Sequence, residues 1–336
     1  MTAPLATIIV VTYNSRRWLQ RQSAALQAQT ETRWTLVVVD NASAADQRPQ
    51  LGELSPKTTL IQSETNLGFA AANNLAARRC TTPYLVFLNP DAFPESNWLK
   101  ALLATAERYP QAGAIGSTQM RAEAPGIFDG TGDVMHATGI AYRSSFGERA
   151  TAPPPLSETF SACGAAMLVR RDLFEQTGGF DERYFCYFED VDLGFRLRLL
   201  GWRTLQSPDA VVAHVGGGSS TEGSAFAEFH GTRNRFWTFV KCMPPLLFWP
   251  LLLPHLALTA FTSTWALFRS RKPEVWRGLW AGLTGLEEIW RERKRLQAAR
   301  RATTLDIARA LAWWPGLLLS RKPVPRQIRE TSASVG

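Results

Sequence analysis

Between positions 5 and 120, short apolar runs alternate with stretches of helical periodicity. The runs Ala6–Thr12, Thr35–Asp40, Thr59–Gln62, Tyr84–Leu88 and Ala112–Ser117 are mostly apolar and predict strands. Between them, Ser15–Gln29, Phe69–Arg79 and Asn97–Arg108 space their apolar residues as helices do. This order predicts an α/β fold: a mostly parallel, Rossmann-type sheet with helices on both faces. Such sheets bind ligands beyond the carboxyl ends of their strands. Those ends carry Thr12-Tyr13-Asn14, Asp40-Asn41 and Asn89-Pro90-Asp91. The first turn has neither GxGxxG nor GxxxxGK[ST], which argues against a dinucleotide site and a P-loop.

The pattern then loosens. Residues 118–160 are rich in Gly, Pro and Ala with weak periodicity, and a long irregular segment of that kind is usually functional or mobile. Phe160–Arg170 predicts a buried strand, Val191–Leu200 a helix and Ala210–Val215 a short strand before the loop Gly216-Gly217-Gly218-Ser219-Ser220. Pro244–Phe268 contains no acid, Lys or Arg, and as a straight helix it would reach about 37 Å, enough for a bilayer core. Pro244, Pro245, Pro250 and Pro254 interrupt it, which counts against a straight span. Trp249, Trp265, Arg269, Arg271, Lys272, Trp276, Arg277 and Trp280 suit a membrane interface. The segment therefore has three readings: it lies on or dips into a membrane, it spans one, or it forms a buried helical pair or oligomer contact. The expected division is a catalytic domain at 1–240, with halves 1–117 and 118–240, and a helical membrane-association region at 241–336.

Charge sharpens this division. The 336 residues carry a formal charge of +8, and residues 269–336 hold 15 Lys and Arg against 6 Asp and Glu. The preceding 268 residues hold 22 against 23, so the positive excess belongs to the C-terminal region. That region suits an anionic membrane surface. Glu287–Arg301 reads as a basic helix worth roughly 1 kcal/mol per charge against anionic headgroups, or as a solvated face. No recognition module accompanies it, so nucleic acid is not an expected partner. Four scattered cysteines form no zinc pattern and no disulfide framework, as in a reducing compartment. The N-terminus runs into the first strand without a basic n-region, and no signal peptide is expected.

The densest chemistry is Tyr187-Phe188-Glu189-Asp190-Val191-Asp192: three carboxylates within four residues, beside the aromatic residues Tyr184, Phe185, Tyr187 and Phe188. Acids in apolar surroundings ask for a use. Capping the helix that follows accounts for one or two of them, and catalysis is the alternative for the rest.

Five patches in order, IIVVTYN (8–14), VVVDNAS (37–43), NLGFAAANNLA (66–76), FLNPDA (87–92) and GGFDERYFCYFEDVDLGFRL (178–197) followed by VAHVGGGSS (212–220), resemble the family 2 glycosyltransferases. The likeness covers about residues 5–240 and is nearest to bacterial rhamnosyltransferases of cell-surface polysaccharide assembly. The resemblance implies a GT-A-like fold and an inverting transfer from a nucleotide-diphosphate sugar, with dTDP-rhamnose the first candidate. The acceptor it implies is a polyprenyl diphosphate-linked saccharide at the cytoplasmic membrane face. It implies a donor site from Thr12, Tyr13, Asn14, Asp40, Asn41, Asn66, Gly68, Asn73 and Asn89.

Asn89-Pro90-Asp91 stands at the family's Asp-x-Asp position, with Asn89 replacing the first acid. Asp91 and His214 are then the implied ligands of a divalent Mg²⁺ or Mn²⁺ ion. The glycines after His214 are an implied diphosphate nest. Asp190 is the implied general base, Glu189 its support and Asp192 a helix-dipole partner, while Asp181 lines the acceptor side or makes a turn. Local alternatives stand beside these: capping for Thr12 and Asn14, an Asx turn for Asp40-Asn41, loop geometry for Gly68, a plain turn for Asn89–Asp91 and a structural role for His214. A nucleotidyltransferase would share the sheet but normally needs a Gly-rich basic first loop. A catalytically silent membrane scaffold is a further alternative, and the Asn89 substitution is its only support. Self-association is left open.

Overall fold

The computed structural model describes residues 3–216, 224–270, 273–324, 326 and 328. The first half alternates as its apolar pattern requires: β1 (Ala6–Thr12), α1 (Arg16–Gln27), β2 (Trp34–Asn41), β3 (Thr58–Ser63), α2 (Gly68–Ala77), β4 (Tyr84–Leu88), β5 (Ala92–Pro94), α3 (Trp98–Arg108) and β6 (Ala112–Arg121). The irregular segment holds the short strands β7 (Phe128–Gly130), β8 (Asp133–Met135), β9 (Ala141–Arg143) and β10 (Ser157–Thr159). Then come β11 (Ala166–Arg170), α4 (Arg171–Gln176), α5 (Glu189–Leu199) and β12 (Arg203–His214). The chain ends in α6 (Ala225–Cys242), α7 (Pro245–Ser270), α8 (Glu274–Thr284), α9 (Leu286–Ala299), α10 (Thr304–Ala310) and α11 (Gly316–Ser320).

The main sheet runs β10-β12-β6-β11-β4-β1-β2-β3. Its first four strands are parallel, β4-β1-β2-β3 in register. β11 is antiparallel to both β4 and β6, so the whole sheet is mixed rather than mostly parallel. Successive strand residues face opposite sides, which splits the core. Ile8, Val10, Val38 and Val86 pack under α1 and α3, while Ile9, Val39, Leu85 and Phe87 pack under α2, α4 and α5. α5 also presents Val191, Phe195 and Leu199 to a third core built with Phe236 and Phe239 of α6, Phe248 of α7 and Ile289 of α9. That core runs across residue 240.

Several boundaries differ from expectation. Of Phe160–Arg170 only Ala166–Arg170 is strand, because Phe160–Ala165 turns across the sheet to reach α5 and β8. β12 starts at Arg203 rather than Ala210 and absorbs Pro208 at a bulge between Ser207 and Val211. Residues 128–145 are mostly buried around the hairpin β8–β9 and bring Asp129 to His214.

Candidate active site

The chemistry gathers at the carboxyl ends of β1, β2, β4 and β12. Leaving β1, Asn14 adopts a positive φ of 52°, and Ala42 after β2 adopts 64°. The two turns are laced together: Asn14 N–H donates to Ser43 Oγ at 2.9 Å, and Ala44 N–H donates to Asn14 Oδ1 at 2.9 Å. No side-chain cap closes α1, so Asn14 holds the neighbouring loop instead of capping. Asp40 is buried and accepts from Ser43 N–H at 3.2 Å, an Asx-type turn. Thr12 Oγ1 is buried and makes no hydrogen bond among the described residues, while Tyr13 is more than a third exposed at the same strand end.

The Asn41 side chain ties β2 to the start of α2: its Nδ2 donates to Asn66 Oδ1 at 2.9 Å and Gly68 O at 3.2 Å, and its Oδ1 accepts from Leu67 N–H at 2.8 Å. Gly68 has φ 78°, and a Cβ there would stand 2.6 Å from Phe185. Its missing side chain therefore admits Phe185. Asn73 turns back inside α2, donating to Phe69 O at 2.9 Å.

At the end of β4, Asn89 N–H donates to Ala165 O at 2.8 Å, and the preceding Gly164 N–H donates to Asp190 Oδ2 at 2.8 Å. Asp190 Oδ1 accepts from Val191 N–H at 2.8 Å. Two residues of backbone thus join the Asn89–Asp91 turn to the carboxylate at the start of α5. Asp190 is half-buried, and burial raises its pKa above the usual carboxylate range despite those two donors. Glu189 points inward, with Oε2 buried and without a hydrogen bond among the described residues. Burial, then the charge of Asp190, pushes its pKa well above the usual carboxylate range. Asp133, hydrogen-bonded to Ser161 Oγ at 3.0 Å, is likewise raised by burial and then by Asp190.

The third acid has a separate task. Asp192 stands in the first turn of α5, but its charge is met by Arg196 at 2.7 Å and Lys241 at 2.7 Å, all buried. Lys241 also reaches Asp181 at 2.5 Å, and Asp181 pairs with Arg183 at 2.6 Å. Burial opposes the Asp181 charge, but Lys241 and Arg183 outweigh it and hold the carboxyl below its ordinary range. Asp181 and Asp192 are thus committed to an internal ion network.

β5 and β12 bring Asp91 beside His214, pairing Ala92 with His214. His214 Nε2 lies 3.5 Å from Asp91 Oδ1 and makes no hydrogen bond among the described residues. Its Nδ1 is held by Asp129 Oδ2 at 2.8 Å, and Asp129 is held by Arg143 at 2.6 Å. Burial would lower the imidazole pKa, but Asp129 and then Asp91 raise it to about 9. A carboxylate behind one ring nitrogen, with the other nitrogen turned toward a second carboxylate, is a donor arrangement that fits a divalent cation. No cluster of three or more His, Cys, Asp or Glu suited to a metal occurs among the described residues, so the remaining ligands would be diphosphate and water. Gly216 has φ 77°, and the rest of the expected nest, 217–220, lies outside the described residues.

Sequence reasoning missed Asp129, Arg143, Asp133 and Asn234. Asn234 of α6 is fully buried, and its Nδ2 donates to Tyr184 O, Cys186 O and Tyr187 O at 2.9, 2.9 and 2.7 Å. It clamps a loop in which Phe185, Tyr187 and Phe188 all have positive φ, immediately before Glu189. Such strain persists only where surroundings enforce it.

The model of the family described as "Glycosyl transferase family 2" matches residues 7–178. The chain belongs to glycosyl transferase family 2. A family relative, the N-acetylglucosaminyl-diphospho-decaprenol L-rhamnosyltransferase of Mycobacterium tuberculosis, is 32% identical over 243 residues, covering 62% of this chain and 75% of that protein. The family's GT-A fold is shared with solved structures. GalNAc-T7 with UDP, GalNAc and Mn²⁺ aligns at TM-score 0.58 and 14% identity over 71% of this chain and 48% of that one. The mannosyltransferase PcManGT of Pyrobaculum calidifontis, with GDP-Man and Mn²⁺, aligns at 0.51 and 20% identity over 92% and 87%.

Proposed function

We propose that this family 2 glycosyltransferase is an inverting, metal-dependent enzyme. It moves a sugar from a nucleotide diphosphate to a hydroxyl of a polyprenyl diphosphate-linked saccharide, in cell-surface polysaccharide assembly at the cytoplasmic face of the plasma membrane. Rhamnose from dTDP-rhamnose is the first candidate donor, in keeping with the name of the mycobacterial relative. The proposed division remains 1–240 for catalysis and 241–336 for membrane association.

The observation that carries the reading is the Asp190 carboxylate, fixed by Gly164 and Val191 within two residues of backbone from the Asn89–Asp91 turn. Asp190 takes the proton of the acceptor hydroxyl as its oxygen attacks the anomeric carbon, while the bond to the diphosphate breaks on the opposite face. The buried Glu189 carboxyl, next to Asp190 in the chain and with its pKa raised by burial, supports the site in this proposal. Asp91 and His214 would hold the Mg²⁺ or Mn²⁺ ion, which supplies charge neutralisation for the leaving diphosphate. The Asn14–Ser43 and Asn41–Asn66 bonds shape the ends of β1 and β2, where Thr12, Tyr13, Asp40, Asn73 and Asn89 complete the donor side in this proposal.

Asp190→Asn keeps the shape of the carboxylate and removes its basicity. Its kcat should fall by about 10²–10⁴-fold while calorimetry still detects binding of the nucleotide diphosphate. Near-normal turnover would remove Asp190 as base.

A further inference from the structure

We propose that α7 is an in-plane membrane anchor whose exposed apolar face lies along an anionic bilayer surface without crossing it. This deepens the membrane reading above by naming the surface and its mode of contact. By length and composition Pro245–Arg269 could cross a bilayer. Three features of the fold decide otherwise.

First, the helix is inside out for a water-exposed element. His255, Thr259 and Ser263 share its buried face with Phe248. Leu246, Trp249, Leu253, Phe261, Trp265 and Phe268, each between 59% and 81% exposed, follow one another at intervals of three, four, eight, four and three along the opposite face. A helix facing water carries the reverse pattern. A contiguous apolar face of this kind on a folded domain marks a docking surface.

Second, both ends of α7 belong to one body. α6, before it, and α8, after it, pack closely: Trp237 Nε1 donates to Gly282 O at 2.9 Å, and Gly278 lacks a side chain where Phe229 O abuts. Arg293 of α9 donates to Val240 O and Met243 O at 2.6 Å. Crossing would require α6 and α8 to stand on opposite sides of roughly 30 Å of hydrocarbon. The middle of the helix is tied down as well. His255 stacks on Phe239 at 4.0 Å and donates from Nδ1 to Thr138 O at 2.7 Å, so a crossing would draw the β8–β9 turn to the bilayer centre.

Third, Pro250 and Pro254 lie on the exposed face. Each removes the partner of a carbonyl four residues earlier, and those carbonyls need water or headgroups rather than acyl chains. That sets the depth of the helix at the interface.

The chemistry of the partner follows from the rim. Arg269 is exposed, its guanidinium 6.0 Å from the Trp265 ring, and exposed Arg277 lies between exposed Trp276 and Trp280. No acid occurs in α7. Tryptophan and arginine beside an apolar stripe match a lipid–water boundary carrying negative charge.

The test uses the full chain with a C-terminal epitope tag and preformed vesicles of phosphatidylcholine with phosphatidylglycerol. The native chain should float with these vesicles, and float less with phosphatidylcholine alone. Leu253→Glu with Phe261→Glu, both on the exposed face, should lower the bound fraction by more than about tenfold with an unchanged thermal melt. Trypsin added outside should destroy both the tag and the catalytic domain of bound protein. Undiminished flotation of the double variant overturns the proposal, and so does protection of either part until detergent is added. It is also overturned if the native chain does not float and the double variant merely dissolves a dimer, which would make the face a contact between copies. Because lipid binding is read without turnover, failure here is distinct from failure of the glycosyl-transfer reading.

Discussion

Asp190 receives two backbone N–H bonds and still has a raised pKa, because loss of solvent outweighs two donors. In the proposed role of general base it is active only when deprotonated, so kcat should fall as pH drops through a pKa above the ordinary value of about 3.9. A pH–rate profile whose acidic limb lies at or below that value would assign the base elsewhere. Asp129 acts at one remove, holding His214 Nδ1 so that Nε2 faces Asp91. Asp129→Asn should raise the Mn²⁺ concentration for half-maximal activity by about 10–100-fold while leaving the nucleotide affinity of the metal-free protein unchanged. A Mn²⁺ titration checks this. Asp190, Asp91 and His214, the residues proposed for the site, stand in ordered motifs and could be named from the sequence. Asp129 could not, since Phe128-Asp129-Gly130 has no periodicity and no spacing that points to His214, 85 positions away.

The aromatic loop before α5 is an element held from outside itself. Its three positive-φ residues would relax if the carbonyls of Tyr184, Cys186 and Tyr187 lost Asn234. Asn234→Ala leaves buried acceptors unpaired and should cost about 1–3 kcal/mol in urea denaturation. It should also lower kcat, because the loop sets the start of the helix carrying Asp190. An unchanged denaturation midpoint would show that the clamp contributes nothing. Phe185 of the same loop fills the space left by Gly68, so the loop and the turn before α2 share a wall. The acid cluster read as three neighbouring carboxylates, and the fold separates them. Asp190 is half-buried at the start of α5, Glu189 is buried with a raised pKa, and Asp192 is bound by Arg196 and Lys241.

For the whole molecule, the third core makes residue 240 a poor place to cut. Removing 241–336 uncovers Phe236, Trp237 and Phe239 and takes away Lys241, which serves both Asp181 and Asp192. The truncated chain should therefore aggregate or lose several kcal/mol of stability, since breaking a buried ion network costs about 3–5 kcal/mol. Gel filtration and a thermal melt measure this, and a monodisperse fragment with the native melting temperature would contradict it. Loss of membrane pelleting by that fragment would consequently say little about α7, whereas point variants on its exposed face keep the core intact.

The sequence by itself determined the α/β order, the parallel strands β1–β4, the family and the strand-end residues. Each of these depends on local periodicity or on motifs a few residues long. Tertiary structure alone decided the rest: that Asp129 holds the far side of His214, that Asn234 holds the aromatic loop, and which side of α7 faces outward. An apolar run of 25 residues has the same composition whether it spans, lies flat or is buried. What separates these fates is the partner of each face, and His255 packing on Phe239 with Leu253 left outside is a long-range choice that no local pattern carries.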